Sequence, residues 1–449
     1  MPQIGDVDDL KEASFMALSS PPSTIEAQRF VDAIVFQIKA NETRARARSA
    51  KDEKQFTKTV GLILGDLLLA YDKGNRGQDK TNNNSLSYHS TSPNSFSEAN
   101  VGYVMFKDTV YPLENLGLIT IYEGRNARPM DFGVGTKQSF HGGFATRFKP
   151  LSTLIDKALE FGLVEGEFHK AFFTQMPTSV VEVRGSKADG APRGKKMPLP
   201  STSKTEQLID EVTAINAFLS EFTYEGMVFG GLRRLFNEGD RDDFDYNLGG
   251  RLYCANSQAF SNMKSHERAN ILIDGEAIVE IDINASYLTI LHALKNEPMP
   301  DRDDIYAIEG IPREVVKKWF NITMGWPKFQ TKWLPGNLDE FREAEVAHKP
   351  WMTVKAVKKA VLEHFPIMKD WPEQEVRWSN LMFIESEVII GSMLELMRKY
   401  KAPSLPVHDC LMVRKSDQEL AMTVLSEQFK SKVGIAPRLK VKQHEQSSL

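Results

Sequence analysis

Hydrophobic residues recur at helical spacing along the first third of the chain. The spacing predicts four helices, at about 25–40, 56–70, 103–116 and 151–161. Pro112 is expected to kink or restart the third helix, because proline lacks the backbone N–H that a helix interior uses. The tract 74–100 is rich in Asn, Ser and Gly, has almost no large apolar residue, and is expected to be a mobile loop.

The period of the pattern changes after the third helix. Residues 118–122 alternate like a short strand, and 143–149 form a candidate second strand. A helix followed by two strands is one arrangement of a winged helix, a fold often used to hold a duplex, although any helix with a hairpin packs in this way. We therefore predict a mostly helical region over 1–183 that binds nucleic acid, with a winged helix as one interpretation.

The densest run of glycine, proline and lysine lies at 184–204 and predicts a linker. Beyond it, a helix with regularly spaced apolar residues begins at Thr205. The second region is therefore expected to cover 205–449.

Composition narrows the class of protein. The 449 residues allow two or three domains, and the net charge of −4 gives no overall attraction to nucleic acid, so a polyanion would have to bind in a local groove. Two cysteines, Cys254 and Cys410, are too few for a disulfide framework or a thiolate zinc site. No signal peptide and no run of about 20 apolar residues is visible. We expect no membrane partner and a location in the cytoplasm of a bacterial host cell, and the oligomeric state stays open.

Two acidic positions interrupt apolar runs in the second region. Residues 277–283 alternate like a strand and then break into an apolar helix, 287–294, so Asp282 lies at a strand end from which a carboxylate can point into a cleft. The apolar runs on either side of His408 and Asp409 predict a hairpin that exposes both residues at its tip. Two carboxylates on adjacent strands suit a pair of Mg²⁺ ions, for which Mn²⁺ can substitute.

A cationic helix supplies the complementary charge. Arg313 and Lys317 are four residues apart, so they share one helix face and can hold the phosphates of a nucleotide. Carboxylates for metal and cations for a triphosphate are the parts that phosphoryl transfer requires. Each residue alone also has a simpler interpretation: Asp282 as a helix cap, Asp409 as a turn residue, and the two cations as a solvated face.

Four segments, 249–253, 279–287, 313–325 and 405–413, occur in the order of the family A polymerase motifs. The chain thus resembles bacterial DNA polymerase I and its relatives, the single-subunit phage RNA polymerases. The resemblance implies an α+β fold, a right-hand palm and fingers with an antiparallel palm sheet. It further implies a template-directed DNA polymerase that adds dNTPs to a primer 3′ end, with a DNA template, a primer and nucleoside triphosphates as partners, for a phage or mobile element.

The resemblance also implies roles for individual residues. Asp282 and Asp409 match the catalytic metal ligands of motifs A and C. The matching nucleotide-binding positions are Arg313, Lys317, Tyr287 and Asn321, and the matching nucleic-acid-binding positions are Arg251, Gln258, Arg268 and His408. Tyr287 occupies the position at which such polymerases carry a bulky side chain under the sugar C2′, which favours dNTPs over rNTPs.

Two features depart from this family. Cys410 stands where DNA polymerase I has a third carboxylate, and the spacing of Asn321 and Gly325 after Lys317 is more similar to family B motifs. Glu385 and Glu387, on an apolar helix at 381–397, are further inward-facing candidates, but a solvated face is the expected position for both. The alternatives are a primase or RNA polymerase on the same scaffold, and a non-catalytic replication protein that binds nucleic acid.

Overall fold

The computed structural model describes residues 13–44, 46–75, 85–96, 101–124, 145–173, 176–177, 179–188, 193–254, 260–263, 265–325, 328–333, 337, 341, 353–371 and 375–442. The chain forms two compact units. Unit 1 comprises Met1–Pro177, Met227–Gly231 and Cys254–Ala259, and unit 2 comprises Thr178–Gly226, Leu232–Tyr253 and Phe260–Leu449.

Unit 1 contains the helices that the apolar spacing predicts. They are α1 (Ile25–Ala40), α2 (Ala50–Asn75), α3 (Tyr103–Asn115) and α4 (Ser152–Glu160), followed by the short α5 (Phe168–Ala171). Thr24 caps α1, because its hydroxyl accepts from the backbone N–H of Ala27. The apolar faces bury a cluster of aromatic rings, including Phe30, Phe56 and Phe106.

A four-stranded sheet completes unit 1. Its strands β1 (Ser14–Phe15), β2 (Ser87–His89), β3 (Ile119–Tyr122) and β4 (Thr146–Pro150) lie in the order β1-β2-β4-β3. β4 is antiparallel to both neighbours, so the two strands expected after α3 pair with each other. The helix–strand–strand order of a winged helix is therefore present, and the winged-helix interpretation stays a prediction.

Two local predictions for unit 1 are wrong. The tract 74–100 is not a loop throughout, because β2 and a 3₁₀ turn at Pro93–Phe96 lie within it and Phe96 packs on Phe106. Pro112 does not interrupt α3, since it lies near the helix end and its own carbonyl still accepts from Leu116 N–H at 2.9 Å.

A mixed sheet opens unit 2 and corrects the predicted linker. Strands β5 (Val181–Arg184), β6 (Lys196–Met197), β8 (Leu232–Phe236) and β9 (Gly249–Cys254) lie in the order β6-β5-β8-β9. β6 lies inside 184–204 and pairs with β5, because Val183 and Arg184 offer it a strand edge that composition does not reveal. The next helix, α6 (Ser203–Leu219), begins with a capping box between Thr202 and Thr205.

The central sheet of unit 2 is antiparallel. Its strands are β7 (Tyr224–Glu225), β10 (Leu272–Ile273), β11 (Glu276–Asn284), β12 (Ser404–Val407), β13 (Cys410–Arg414) and β14 (Arg438–Lys442). They run in the order β12-β13-β11-β10-β7, and β14 pairs with the edge of β11 opposite to β13. The nine-residue β11 is thus held on both sides.

Unit 2 also contains several further helices. They are α7 (Ser265–Arg268), α8 (Ser286–Leu294), α9 (Arg313–Met324), α10 (Val354–His364), α11 (Trp378–Glu395) and α12 (Gln418–Val433). α11 packs against α8 and α12, α12 contacts β11 and β13, and α10 packs against α9. The α+β class with an antiparallel sheet is as predicted. In the described part of the chain, no helix is both long and apolar enough to span a bilayer.

Candidate active site

The pairing of β11 with β13 brings Asp282 and Asp409 together. Asp282 lies opposite Cys410 in the antiparallel register, and the backbone N–H of Ile283 donates to the carbonyl oxygen of Asp409 at 3.1 Å. The two acidic residues are far apart in the sequence, so their proximity depends on this long-range register. Both carboxylates therefore lie at one end of the β11–β13 pair.

The β12–β13 hairpin turns at His408 and Asp409. His408 has a left-handed φ of 56°, as the first residue of this tight turn, and it is exposed. The expectation that the tip also exposes Asp409 is wrong. Asp409 is half-buried, and the charges of Glu385, Arg251 and Asp282 act on its carboxylate.

Negative charge accumulates around Asp409. Burial, followed by the charge of Glu385, raises its pKa; Arg251 counteracts this, and Asp282 adds a smaller increase. The net effect raises the pKa of Asp409 to about 6. Neighbouring carboxylates make one another's charged forms less stable. A cation bound among them is therefore stabilised.

Asp282 is paired with a cation from the last described strand. Lys442 of β14 forms an ion pair with the Asp282 carboxylate, and its Nζ lies 4.0 Å from Glu280. Glu280 is itself buried and receives two hydrogen bonds from Arg268, at 2.6 and 3.1 Å. Arg268, predicted to bind nucleic acid, therefore holds Glu280 in this structure, while the Asp282 side chain stays about one-fifth exposed.

Three possible metal-ligand atoms lie close together at this site. The ligand atoms of Glu280, Asp282 and Cys410 all lie within 4.8 Å of one another. Burial and the charges of Asp282 and Glu280 raise the pKa of the Cys410 thiol well above its usual value, so the sulfur stays protonated and is a poor metal ligand. Glu280 is paired with Arg268 and Asp282 with Lys442, so a divalent cation at this site would compete with these two cations for the carboxylate oxygens that Mg²⁺ prefers.

Arg251 of β9 forms a buried ion pair with Glu385 of α11. The Arg251 Nε donates to Glu385 Oε1 at 2.9 Å, and a second guanidinium nitrogen contacts the same oxygen. The Glu385 side chain is 1% exposed and that of Arg251 is 17% exposed. The expectation that Glu385 is solvated is wrong, because a partner 134 residues away compensates its charge. Glu387 is more exposed and pairs with Arg234.

Tyr287 lies next to this ion pair. The Arg251 guanidinium carbon lies 5.5 Å from the centre of the Tyr287 ring. Ala285, with a left-handed φ of 52°, turns the chain from β11 into α8. Tyr287 therefore lies in the first turn of α8, directly after the strand that contains Asp282. Burial, the charge of Glu385 and a smaller contribution from Asp409 raise the pKa of Tyr287 well above its usual value, so its hydroxyl stays protonated.

The predicted nucleotide-binding residues of α9 share one face. Arg313, Lys317 and Asn321 follow at intervals of four, and the last two are exposed. Arg313 donates to Asp304 at 2.5 Å and lies over the ring of Tyr306 at 5.7 Å. Burial and the charge of Asp409 raise the pKa of Tyr306 to about 12. Tyr306, which lies beside Arg313 at the start of α9, is therefore within electrostatic range of Asp409.

The structure adds some residues to the site, and one predicted residue lies outside the described ranges. Gln258 lies outside the described residues, as does Asn256. Lys442, Glu280 and Tyr306 lie near Asp282 or Asp409 and were given no role from the sequence, and Glu385, for which a solvated face was expected, lies near Asp409. A signal existed only for β14, where basic and apolar residues alternate over Arg438–Lys442.

Comparisons with known proteins add little to this geometry. No family model matches the chain, and no curated protein matches it. Among solved structures, the chain is similar to the POL domain of Pol1 from M. smegmatis, in a complex with DNA primer-template and dNTP, at 12% identity and a TM-score of 0.30. The match covers 94% of this chain and 66% of that chain. A likeness at this level carries no argument about function.

Proposed function

We propose that this chain is a template-directed DNA polymerase that adds dNTPs to a primer 3′ end. The observation that carries the proposal is the pairing of β11 with β13, which brings Asp282 and Asp409 to one end of an antiparallel sheet. In this proposal the central sheet with α8, α11 and α12 is the palm, and α9 is the main fingers helix. The four motif-like segments around these residues give the same assignment.

Asp282 and Asp409 would hold two Mg²⁺ ions in the proposed reaction. When bound, the ions would polarise the transferred phosphoryl group and stabilise the attacking and leaving oxygens. Lys442 pairs with Asp282, so its ammonium group would compete with a metal ion for this carboxylate. Arg268 keeps Glu280 charge-balanced beside it.

The incoming nucleotide is held by the polar face of α9. Lys317 and Asn321 are exposed, and the Arg313 guanidinium is steadied by Asp304 and by the Tyr306 ring, so that side chain is already ordered. Cations at intervals of four along a helix offer successive positive charges to a triphosphate. His408 at the exposed hairpin tip is proposed to lie near the primer terminus.

Primer extension with each of the eight nucleotides tests the proposal. The full chain is incubated with a defined primer–template and Mg²⁺, and each dNTP and rNTP is supplied separately. Templated, Mg²⁺-dependent addition of dNTPs supports the proposal, and chelation by EDTA stops it. Addition of rNTPs, or synthesis without a primer, supports the primase or RNA polymerase alternative. Duplex binding without any addition supports a non-catalytic replication protein.

Replacement of Tyr287 tests the sugar choice. We expect Tyr287→Ala to raise the ratio of kcat/KM for rNTPs to that for dNTPs by roughly 10- to 100-fold, because the ring no longer excludes or desolvates a 2′-hydroxyl and an unpaired buried hydroxyl costs about 1–3 kcal/mol. Single-nucleotide incorporation with matched dNTP and rNTP concentrations measures this ratio.

Tyr287→Phe is the matched control, because it keeps the ring beside Arg251 and removes only the hydroxyl. Its sugar preference should stay close to that of the wild type. A wild-type enzyme that already prefers rNTPs would contradict the assignment of Tyr287 and favour the RNA polymerase alternative.

A further inference from the structure

The strand β14 lies directly beside the strand that carries Asp282. In the antiparallel register Arg438 is opposite Asn284, Lys440 is opposite Asp282, and Lys442 is opposite Glu280. Sequence reasoning assigned no role to this strand. It forms the edge next to the candidate active site.

The basic residues of β14 share the sheet face of the carboxylates. Arg438, Lys440 and Lys442 are exposed, whereas the intervening Leu439 and Val441 are half-buried. Because side chains alternate along a strand, the three cations point to one face. Lys442 contacts Asp282, which fixes that face as the one that carries Asp282. We call Arg438, Lys440 and Lys442 the cationic edge.

The three cations differ in how far their charge is already compensated. Lys442 is paired with Asp282 and lies near Glu280. Arg438 donates to the backbone carbonyl of Arg302 and lies 3.5 Å from that of Pro300, which orients the guanidinium without neutralising it. Lys440 is exposed and makes no ion pair within the part of the chain that the structure describes. Two positive charges therefore remain available on this face.

We propose that the cationic edge binds the phosphate backbone of the primer strand, next to its reactive end. The proposal rests on the proposed function, since it takes the strand whose 3′ end reaches Asp282 and Asp409 as the ligand. The chain as a whole is acidic, so a polyanion must be held by a local group of cations such as this one. An edge strand rich in lysine also discourages pairing with another chain, and the experiment separates this role from phosphate binding.

The test measures how duplex binding depends on salt. The full chain binds a fluorescent primer–template in EDTA, without nucleotide, at salt concentrations from about 50 to 200 mM, a range over which phosphate contacts lose much of their strength. Each phosphate contact contributes about 0.9 to the slope of log Kobs against log salt. We expect Lys440→Gln to flatten the slope by about that amount, Arg438→Gln to do the same, and Lys440→Arg to restore the wild-type slope.

The control is Lys430→Gln, which removes one exposed lysine charge from α12 of the same unit. Its slope should match that of the wild type. Thermal unfolding of each variant verifies that the fold is kept. Primer extension by the wild type is measured separately, so failure of the two proposals can be told apart.

If the wild type extends primers and both Gln variants keep the full slope, the proposed function stands but the cationic edge does not bind phosphate. Its lysines would then only protect an edge strand. A wild type that binds no primer–template would overturn both. A slope that falls equally in Lys430→Gln would show a general charge effect and overturn the assignment to β14.

Discussion

Replacement of either Asp282 or Asp409 by asparagine is expected to abolish nucleotide incorporation. Asparagine keeps the size of the side chain and removes the charge that holds a divalent cation. Removal of one preorganised group that stabilises transition-state charge costs about 10²- to 10³-fold in kcat, and loss of a metal ligand should cost at least as much. Single-turnover primer extension in saturating Mg²⁺ and dNTP measures the loss, and affinity for primer–template in EDTA should change little.

The two variants should differ in melting temperature. A variant that melts at or above the wild-type temperature has not lost its activity through unfolding. The pKa of Asp409 is higher in the folded chain than its usual value of 3.8, so the charged carboxylate costs stability at any pH above that value. Asp409→Asn removes this cost, and in metal-free buffer near pH 8 its melting temperature should be equal to or above that of the wild type. Asp282→Asn takes away the ion-pair partner of Lys442 and should show no such gain.

If both asparagine variants incorporate nucleotide at the wild-type rate, Asp282 and Asp409 are not the metal ligands. Loss of activity in only one of them would restrict the assignment to that residue. A marked fall in the melting temperature of Asp409→Asn would contradict the unfavourable environment that burial and Glu385 create for the carboxylate.

The local parts of this site could be predicted because their signals are local. The alternation that leads to Asp282 and the apolar runs around Asp409 each specify a strand or hairpin within about ten residues, and both elements are present. The exposure of Asp409 could not be predicted, because it depends on Glu385 and Arg251, which arrive from α11 and β9.

The missed residues share a physical cause. Glu385 lies on a helix that is apolar on nearly all sides, so no polar stripe distinguishes a buried carboxylate from a solvated one. Lys442 belongs to a short, strongly basic strand whose composition is typical of an exposed segment. The pattern predicted the helix of Glu385 and no element at β14, and in both cases only a partner distant in the sequence determines what the charged group does.

The predicted linker at 184–204 shows the same limit for domain boundaries. Glycine, proline and lysine predict a chain without regular structure, yet Lys196 and Met197 pair with β5. A strand of two residues has too short a pattern to recognise, and it forms because an open edge of a neighbouring strand is available. Composition therefore does not reveal the strand within this segment.

Replacement of Glu385 by alanine is expected to produce the largest loss of stability in unit 2 among single changes at this site. Arg251 is mostly buried, and without Glu385 its guanidinium would lose two contacts to a carboxylate oxygen and remain charged next to the Tyr287 ring. Removal of one partner from a buried ion pair costs about 3–5 kcal/mol, because the other charge is left uncompensated. Urea denaturation, with the free energy of unfolding extrapolated to water, measures this cost.

A double-mutant cycle shows whether the cost comes from the stranded charge. Arg251→Met/Glu385→Ala should recover part of the stability lost in Glu385→Ala, because no buried charge is left over. Lys399→Ala, which breaks an exposed i,i+4 pair with Glu395 at the end of α11, is the control and should change the free energy of unfolding by at most about 1 kcal/mol. Additive effects of the two substitutions would mean that Arg251 and Glu385 do not stabilise each other.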